Sequence, residues 1–254
     1  MAIDLSGRTA FVTGGGRGIG RAISLGLARA GADVALNYTR NADAANEVAE
    51  EIRALGRRAE AYQGDIADFA SCQAMAEAAL ADFGSISILV NNGGVASRGN
   101  TVVETDPEEM RRVVNTHAMG SYHMSRALVP QMREQPRGDV VMISSVAAQG
   151  LAARGAPYNM GKAAQEAIAY TLAKEERPHG IHVNVVAPGL VDTDMGRRLA
   201  RATRGVADIH ELDERSPFGR VCAPEDIADA VVFLCSGDAA YVTGQRITVN
   251  GGGF

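Results

Sequence analysis

Short apolar runs alternate with helix-length segments along almost the whole chain, and this alternation restricts the fold more than any other feature of the sequence. Residues 8–13 and 33–38 are typical strand runs, and Gly31 and Gly56 follow the first two helical segments as helix stops. Strands that alternate with helices form βαβ units, whose strands are parallel and whose helices cover both faces of the sheet. We therefore predict a doubly wound α/β fold, formed as a single domain by residues 1–254.

The predicted strands and helices follow from these runs. Strands are predicted at residues 8–13, 33–38, 58–63, 86–91, 140–144, 181–187 and 246–250. Helices are predicted at residues 19–30, 42–55, 69–83, 107–132, 158–177 and 224–236. Residues 194–220 interrupt the alternation after the sixth strand. Because open α/β sheets bind ligands at the carboxyl ends of their strands, we expect this insertion to be a substrate loop.

Composition and charge exclude several classes of protein. The 254 residues carry a net charge of −5, which offers no basic surface to a nucleic acid. No window reaches the ~18 consecutive apolar residues that a membrane helix needs. Cys72, Cys222 and Cys235 are odd in number and widely spaced, which predicts free thiols and a cytoplasmic location. His179 and His182 have no further ligands nearby in sequence, so we expect no metal site.

A glycine-rich loop, TGGGRGIG at residues 13–20, joins the first predicted strand to the first predicted helix. Free backbone N–H groups at the start of a helix bind anions, and glycines let the backbone approach a pyrophosphate. No Gly-Lys-Ser/Thr sequence follows, which excludes a P-loop nucleotidase. A purely structural turn is the alternative, but the position in the first βα turn favours a dinucleotide and a Rossmann-type fold. The predicted cofactor contacts in this loop are Thr13, Gly14, Gly16, Arg17, Gly18, Ile19 and Gly20.

The residues after the second strand distinguish NAD from NADP. An acidic residue there would bond the ribose 2′-hydroxyl of NAD, but residues 37–41 read NYTRN and contain no acid. Arg17 and Arg40 are suited to a 2′-phosphate, although both also fit the alternative of solvated surface arginines. We therefore predict contacts from Tyr38, Thr39 and Arg40, with NADP(H) as the preferred cofactor and NAD(H) as the alternative.

Tyr158 and Lys162 are four residues apart in a predicted helix, which places both side chains on one face. Helices often carry this pair by chance, but Lys162 is one of only two lysines in the chain. A cationic neighbour lowers the pKa of a tyrosine from its usual ~10, so that the phenol becomes an acid or base near neutral pH. Ser144 and Ser145 end a strand run before this helix, where Ser145 would either hydrogen-bond a substrate carbonyl or only cap the turn.

Over its whole length the sequence resembles the short-chain dehydrogenase/reductase family in its form of about 250 residues. The motifs that carry the resemblance are TGGGRGIG at 13–20, GDI at 64–66, NNGG at 91–94, Asn115 in VVNTHAMG, ISS ending at Ser145, the Tyr158 and Lys162 pair, APGLVDTDM at 187–195 and TGQRITVNGG near the end. Within the family, the NVVAPGLVDTDM and NYTR segments are most similar to 3-oxoacyl-[acyl-carrier-protein] reductases.

The resemblance implies roles for individual residues. Asn115 would hold a water that connects Lys162 to solvent, and Ser145 and Tyr158 would complete the catalytic set. The dinucleotide would be contacted by Asp65 and Ile66 at the adenine, by Asn91, Asn92, Gly93 and Gly94 at the ribose, and by Pro188, Gly189, Val191 and Thr193 at the nicotinamide. Tyr158 and Lys162 would also contact the cofactor. The same resemblance implies a homotetramer.

The chain departs from the family pattern at three places. Gly93 stands for the usual alanine, Met160 and Gly161 stand for a small residue and a serine, and Asn250 stands for an aspartate. Gly161 near a helix start costs up to ~1 kcal/mol of helix stability. None of the three removes a catalytic group.

These motifs predict an oxidoreductase that transfers a hydride between a nicotinamide cofactor and a carbonyl or secondary alcohol. The predicted substrate is a small-molecule or acyl-thioester ketone. A dehydrogenase of sugars, polyols or cyclic alcohols is the alternative within the family. A non-catalytic dinucleotide sensor is the alternative of a different class, and it is disfavoured because a sensor has no need of a complete catalytic set.

Basic residues near the predicted substrate loop leave two interpretations open. Arg197, Arg201 and Arg204 share one helical face, which fits either a solvated surface or a lid over an anionic substrate. A carrier-protein partner would also need a basic surface, but Arg133 and Arg137 are interleaved with acidic neighbours.

Overall fold

The computed structural model describes residues 3–252, which contain a sheet of seven parallel strands. The strands are β1 (Thr9–Val12), β2 (Asp33–Tyr38), β3 (Ala59–Gln63), β4 (Ile88–Asn91), β5 (Gly138–Ile143), β6 (Ile181–Pro188) and β7 (Arg246–Val249). Their order across the sheet is β3-β2-β1-β4-β5-β6-β7. The order reverses between β1 and β4, so the loops after these strands diverge and leave a crevice at the carboxyl edge. Residues 1, 2, 253 and 254 of the predicted domain lie outside the described residues.

Helices cover both faces of the sheet. Within residues 3–252 they are α1 (Gly18–Arg29), α2 (Ala42–Ala54), α3 (Phe69–Phe83), α4 (Pro107–Val114), α5 (Gly120–Met132), α6 (Ala147–Gly150), α7 (Ala156–Glu176), α8 (Asp194–Arg204) and α9 (Pro224–Leu234). One apolar layer includes Ile23 of α1 and Val231 of α9, and the other includes Met75 of α3 and Leu128 of α5. The predicted doubly wound parallel α/β fold is confirmed.

The predicted helix over residues 107–132 is interrupted in the structure. Helix α4 ends at Val114, a π-helical turn spans Asn115–Met119, and α5 begins at Gly120. A π-turn adds one residue to the helical repeat and changes the direction of the side chains around it, and such turns are frequent at functional sites. Here the turn buries His117 and Ala118 and leaves Asn115 exposed.

The insertion after β6 is folded. It contains α8 and two short 3₁₀ segments, Ile209–Arg215 and Pro217–Gly219. The side chain of Thr193 caps α8, because its Oγ1 accepts a hydrogen bond from the Gly196 N–H at 3.1 Å. A small apolar cluster holds the insertion together and consists of Ala200, Ile209, Leu212 and Val221.

A charged cluster ties the strands together at the amino edge of the sheet. The carboxylate of Asp139, at the start of β5, is only 2% exposed. Arg8 Nη1 donates to it at 2.7 Å, and Arg137 donates from both Nε and Nη2 at 2.9 Å. Arg8 also donates to the carbonyl oxygens of Ser87 and Cys235, at 2.9 and 2.6 Å. The cluster therefore joins four parts of the chain at the edge opposite the crevice.

Candidate active site

The start of helix α1 has backbone donors that the chain itself does not cap. Arg17 is the N-cap residue, and its side chain makes no capping hydrogen bond. By contrast, Asp68 caps α3 with its carboxylate, which accepts from the N–H groups of Ala70 and Ser71. The first N–H groups of any helix lack intrahelical partners, so those of α1 are open to an anion. This end of α1 opens onto the crevice.

The glycine loop is shaped for close approach of a ligand to its backbone. A Cβ atom at Gly20 would overlap the carbonyl oxygen of Gly14 and approach Asn92 Nδ2 at 2.6 Å, so only glycine fits there. A Cβ atom at Gly18 would lie 3.4 Å from Thr193 Cγ2, which shows that the loop after β6 reaches the glycine loop. The loop thus fits a pyrophosphate between α1 and the segment after β6.

Thr13 fastens the glycine loop to the loop after β4. Its Oγ1 accepts hydrogen bonds from the N–H groups of Asn92 and Gly93, at 2.9 and 2.8 Å. In return, Asn92 Nδ2 donates to the carbonyl oxygen of Thr13 at 2.9 Å. The two loops that bound the crevice are therefore held at a fixed distance from each other.

Asn37 is a buried polar residue that the sequence reasoning did not assign to the site. Its Oδ1 accepts from the N–H of Gly14 at 3.2 Å, and its Nδ2 donates to the carbonyl oxygen of Gly64 at 3.0 Å. The side chain thus connects the loops after β1 and β3. Its position in the otherwise apolar run of β2 is the one sequence feature that indicates a role for this residue.

The remaining predicted cofactor residues reach the same edge of the sheet. Tyr38, Thr39 and Arg40 follow β2 or end it, and both Arg17 and Arg40 are exposed. The other predicted contacts at the ends of β3, β4 and β6 are Asp65, Ile66, Asn91, Gly93, Gly94, Pro188, Gly189, Val191 and Thr193. No carboxylate lies among residues 37–41 to compete with a 2′-phosphate. The donors and the glycines at this edge fit a dinucleotide.

Tyr158 and Lys162 lie in the first two turns of α7, where the structure brings them together. Lys162 Nζ is 5.8 Å from the centroid of the Tyr158 ring. The ammonium is buried and donates to the carbonyl oxygen of Ile143 at 2.5 Å and to Gln165 Oε1 at 3.0 Å. Burial lowers the pKa of Lys162 to about 7, although the negative charge of Glu166 opposes this. The ammonium is therefore held in place but is easily deprotonated.

The phenol of Tyr158 responds mainly to burial in the structure. Burial raises its pKa, and a hydrogen bond with Ser145 opposes that rise. Burial of the phenol, and not the charge of Lys162, therefore sets the direction of the Tyr158 pKa shift in the protein alone. Ser145 hydrogen-bonds Tyr158 and also accepts from the N–H of Ala147 at 3.1 Å, so it closes the turn after β5, and its contact with a substrate carbonyl stays a prediction.

Ser144 has a structural role behind the site. Its Oγ donates to Glu166 Oε1 at 2.6 Å, and Arg246 Nε donates to the same oxygen at 3.0 Å. Arg246 Nη2 also donates to the carbonyl oxygen of Ser145 at 3.1 Å. This buried ion pair supports the end of β5. No local pattern predicts it, because Glu166 and Arg246 are eighty residues apart.

Asn115 and His117 have different surroundings in the π-turn. Asn115 is exposed at the start of the π-turn, whereas His117 is 1% exposed and its ring meets the Tyr158 ring edge-on at 5.0 Å. His117 Nε2 lies 2.8 Å from the carbonyl oxygen of Val95. His117 is therefore the residue of this turn that packs against Tyr158, and the role that the resemblance implies for Asn115 stays a prediction.

Two glycines make room for the His117 ring. A Cβ atom at Gly94 would overlap the ring, and one at Gly161 would lie 3.0 Å from His117 Cβ. The glycine at position 161, which departs from the family pattern, therefore compensates for a bulky residue in the facing turn. Burial lowers the pKa of His117 to about 3, so the imidazole is neutral at physiological pH. Because a carbonyl oxygen can only accept, the 2.8 Å contact with the Val95 carbonyl assigns the proton to Nε2.

The three predicted lid arginines have different surroundings. Arg197 Nε donates to Asp192 Oδ1 at 2.7 Å, and Arg201 Nη2 donates to the carbonyl oxygen of Ala207 at 3.3 Å. Arg204 is exposed. Arg197 and Arg201 thus tie α8 to its own flanking segments, which favours the surface interpretation for these two.

Within residues 3–252, no helix is long and apolar enough to cross a membrane. Across the same residues, no group of three His, Cys, Asp or Glu side chains is arranged to hold a metal ion.

The crevice combines a glycine loop that fits a pyrophosphate with a phenol and a buried ammonium. This combination is typical of a nicotinamide-dependent oxidoreductase, because it places an acid beside the dinucleotide. A family model described as enoyl-(acyl carrier protein) reductase matches residues 14–253. The chain belongs to the short-chain dehydrogenase/reductase family, whose members exchange a hydride between a nicotinamide cofactor and a carbonyl or alcohol group.

Three relatives illustrate the range of substrates in the family. The 3-oxoacyl-[acyl-carrier-protein] reductase FabG of Staphylococcus aureus is 36% identical over 245 residues, covering 96% of this chain and 97% of the relative. The L-rhamnose 1-dehydrogenase (NAD(P)(+)) of a Sphingomonas species is 35% identical, covering 98% of this chain and 96% of the relative. A 7α-hydroxysteroid dehydrogenase, solved with NADH and 7-oxo glycochenodeoxycholic acid, superposes with a TM-score of 0.90 at 34% identity, covering 99% of this chain and 96% of the other.

Proposed function

We propose that this chain is a ketoreductase for 3-oxoacyl thioesters or similar ketones with an apolar tail, and that it prefers NADP(H). The proposal is carried by exposed apolar side chains on the segments that follow β5 and β6, at the carboxyl edge of the sheet. Leu151 is 62% exposed and Leu199 is 53% exposed. Ligand sites in open α/β sheets lie outside the carboxyl ends of the strands and are lined mainly by apolar side chains, so apolar residues on these segments suit an apolar ligand. The similarity to a 3-oxoacyl reductase supports the same class of substrate.

The proposed reaction assigns one task to each polar group. A nicotinamide, when bound, would supply the hydride for the carbonyl carbon. Tyr158 donates its proton to the carbonyl oxygen, and Ser145, which is hydrogen-bonded to that phenol, holds the same oxygen in place. The buried ammonium of Lys162 stabilises the phenolate that remains after the transfer.

In this scheme His117 supports the phenol from the π-turn. Its ring packs against the ring of Tyr158, and its Nε2 bonds the carbonyl oxygen of Val95 in the loop after β4. We assign it the task of keeping the phenol and that loop at a constant separation. Because the imidazole is neutral, it does so without adding a second positive charge beside Lys162.

The proposed cofactor contacts are the backbone N–H groups at the start of α1 and the loops after β2, β3, β4 and β6. The open N-terminus of α1 would hold the pyrophosphate. Asn37, Thr13 and Asn92 would hold the surrounding loops in place through the hydrogen bonds described above. The absence of an acid in residues 37–41 and the exposed guanidiniums of Arg17 and Arg40 support NADP(H).

Replacing Arg17 by glutamine should weaken NADPH binding about tenfold and leave NADH binding nearly unchanged, because only NADPH carries the 2′-phosphate. The measurement is the dissociation constant of each dinucleotide by fluorescence titration. Arg29→Gln is the matched control, since Arg29 is an exposed arginine at the other end of the same helix. Equal losses for both dinucleotides, or tighter NADH binding by the unmodified protein, would contradict the assignment.

A substrate panel tests the proposed reaction. The panel contains a 3-oxoacyl thioester, a 3-oxo ester, L-rhamnose and a cyclic alcohol, each assayed with NADPH/NADP⁺ and with NADH/NAD⁺ by nicotinamide absorbance. We expect the 3-oxo compounds to give the highest kcat/KM. Turnover of the sugar alone would favour the alternative that the L-rhamnose dehydrogenase relative supports. Dinucleotide binding without turnover of any ketone or alcohol would favour a sensor.

We further propose that the chain acts as one domain, with residues 194–220 as its substrate loop, and assembles as a homotetramer in the cytoplasm. Exposed apolar side chains on α5 and α7, Tyr122 at 41% and Met160 at 53%, support contact with further copies. The free thiols of Cys72 and Cys235, both buried, suit a reducing compartment. Light scattering at micromolar concentration should give a mass near four chains, and a stable mass of 26.6 kDa would contradict the tetramer.

A further inference from the structure

Lys162 is surrounded by partners that use most of its hydrogen-bonding capacity. A lysine ammonium has three N–H donors. One of them is directed at the carbonyl oxygen of Ile143, at 2.5 Å, and a second at Gln165 Oε1, at 3.0 Å. A single donor is therefore left for Tyr158 and for whatever binds beside it. The direction of that donor is set by the two contacts already made.

Gln165 is itself held by a second set of hydrogen bonds. It is completely buried, and its Nε2 donates to Ser121 Oγ at 2.7 Å and to the carbonyl oxygen of Asn91 at 3.3 Å. Ser121 Oγ in turn donates to the carbonyl oxygen of His117 at 2.8 Å. These contacts join α7 to the end of β4, to the π-turn and to α5.

The donor and acceptor roles in this series of hydrogen bonds can be assigned in only one way. Lysine can only donate, so Gln165 must present Oε1 to Lys162 and Nε2 to its other partners. Ser121 gives its one proton to the carbonyl oxygen of His117, so it can only accept from Gln165. Lys162 thus donates to Gln165, Gln165 donates to Ser121, and Ser121 donates to the carbonyl oxygen of His117. The opposite orientation of the Gln165 amide would leave these buried groups without suitable partners. Fully satisfied buried networks of this kind hold their members rigidly.

We infer that Gln165, anchored by Ser121 and Asn91, is a positioning residue that fixes the ammonium of Lys162 under Tyr158 and keeps it protonated. The link to catalysis rests on the function proposed above. The link to Lys162 itself rests only on the contacts. An acceptor on an ammonium favours the charged form, so Gln165 counteracts part of the desolvation that lowers the pKa of Lys162.

The other charged or titratable groups around Lys162 lie on three elements. Tyr158 and Glu166 are on α7 itself, and the negative charge of Glu166 favours the ammonium. His117 faces it from the π-turn but is neutral. Arg246 of β7 acts only through its ion pair with Glu166. A substitution at position 165 leaves all of these in place, so its effect on Lys162 can be separated from theirs.

The chain offers a direct measurement, because Lys162 and Lys174 are its only lysines. Protein labelled with ¹³C at lysine Cε gives two signals, and Lys174, which is exposed on α7, serves as the internal reference. In Gln165→Leu, loss of a hydrogen bond to a charged group should move the Lys162 titration to lower pH by about one to two pH units. In Gln165→Glu, a carboxylate in the same place should move it to higher pH.

Enzyme activity provides a second test, because the direction of the expected change in kcat is defined. In the reduction direction, Gln165→Leu should lower kcat about tenfold at pH 7, with little change in KM, since fewer molecules carry a protonated Lys162. The loss should shrink as the pH is lowered. A purely structural role would reduce the amount of folded enzyme equally at every pH.

Asn184→Leu is the matched control. Asn184 is a buried amide on β6 that hydrogen-bonds Val242 and Gln245, and it makes no hydrogen bond with Lys162. It should leave the Lys162 titration unchanged. Identical Lys162 titrations in the unmodified protein, Gln165→Leu and Gln165→Glu would overturn the inference. If the titrations shift as expected but no ketone in the panel is reduced, the proposed function fails while the role of Gln165 stands.

Discussion

Replacing Tyr158 by phenylalanine should lower kcat by about 10²–10⁴-fold, because the variant lacks the phenol that lies beside Ser145 and Lys162 and is proposed to donate the proton. The phenylalanine ring keeps the edge-on contact with His117, so the fold of the site should survive. The measurement is kcat under saturating NADPH with the best substrate of the panel. Because the phenol is not part of the pyrophosphate cradle, the dissociation constant of NADPH should change little.

Tyr122→Phe provides the matched control for this substitution. Tyr122 lies on α5, is 41% exposed and is not a member of the site. Its kcat should equal that of the unmodified protein. Turnover by Tyr158→Phe within a few-fold of that value would show that another group supplies the proton. The assignment of Tyr158 would then be wrong even if the fold and the cofactor are right.

Replacing Asp139 by alanine should lower the free energy of unfolding by about 3–5 kcal/mol, which is the usual cost of removing one partner from a buried ion pair. The substitution leaves the guanidiniums of Arg8 and Arg137 facing each other at the amino edge of the sheet, without the carboxylate that both now bond. Urea unfolding followed by circular dichroism measures the change. Because the cluster lies at the opposite edge from Tyr158, kcat of the folded variant should be nearly normal.

Glu50→Ala is the control for this prediction. Glu50 pairs with Arg53 at 2.7 Å, the same distance as the bond between Arg8 and Asp139, but its side chain is 72% exposed. An exposed pair of this kind contributes about 0–1 kcal/mol, so the control should be close to the unmodified protein. Similar losses in the two variants would mean that burial does not decide the strength of the Asp139 cluster.

The fold could be predicted from the sequence because each element leaves a local pattern. Central parallel strands are buried on both faces, so they appear as continuous apolar runs such as the one that forms β4. Helix ends are marked by Gly31 and by Pro107 with its capping neighbour Asp106. The glycine loop and the four-residue spacing of Tyr158 and Lys162 are equally local.

Residues of the candidate site could be predicted from the sequence only where they lie at the ends of strands or helices. In a doubly wound sheet every loop that follows a strand lies at one edge, so predicted contacts after β1, β2, β3, β4 and β6 had to share that edge. The role of Asn115 was implied by the resemblance alone, and it stays a prediction. The π-turn that buries His117 against Tyr158 could not be predicted, because the apolar pattern of residues 107–132 fits an unbroken α-helix.

The sequence by itself therefore determined the order of the elements, the anion-binding turn and the pairing of Tyr158 with Lys162, all of which depend on spacings of a few residues. Only the tertiary structure decided which buried polar groups form hydrogen bonds and ion pairs with each other. Gln165 lies 44 residues from Ser121, and Arg8 lies 131 residues from Asp139. Such partners leave no local pattern, because a buried donor needs an acceptor in space, wherever the chain supplies it.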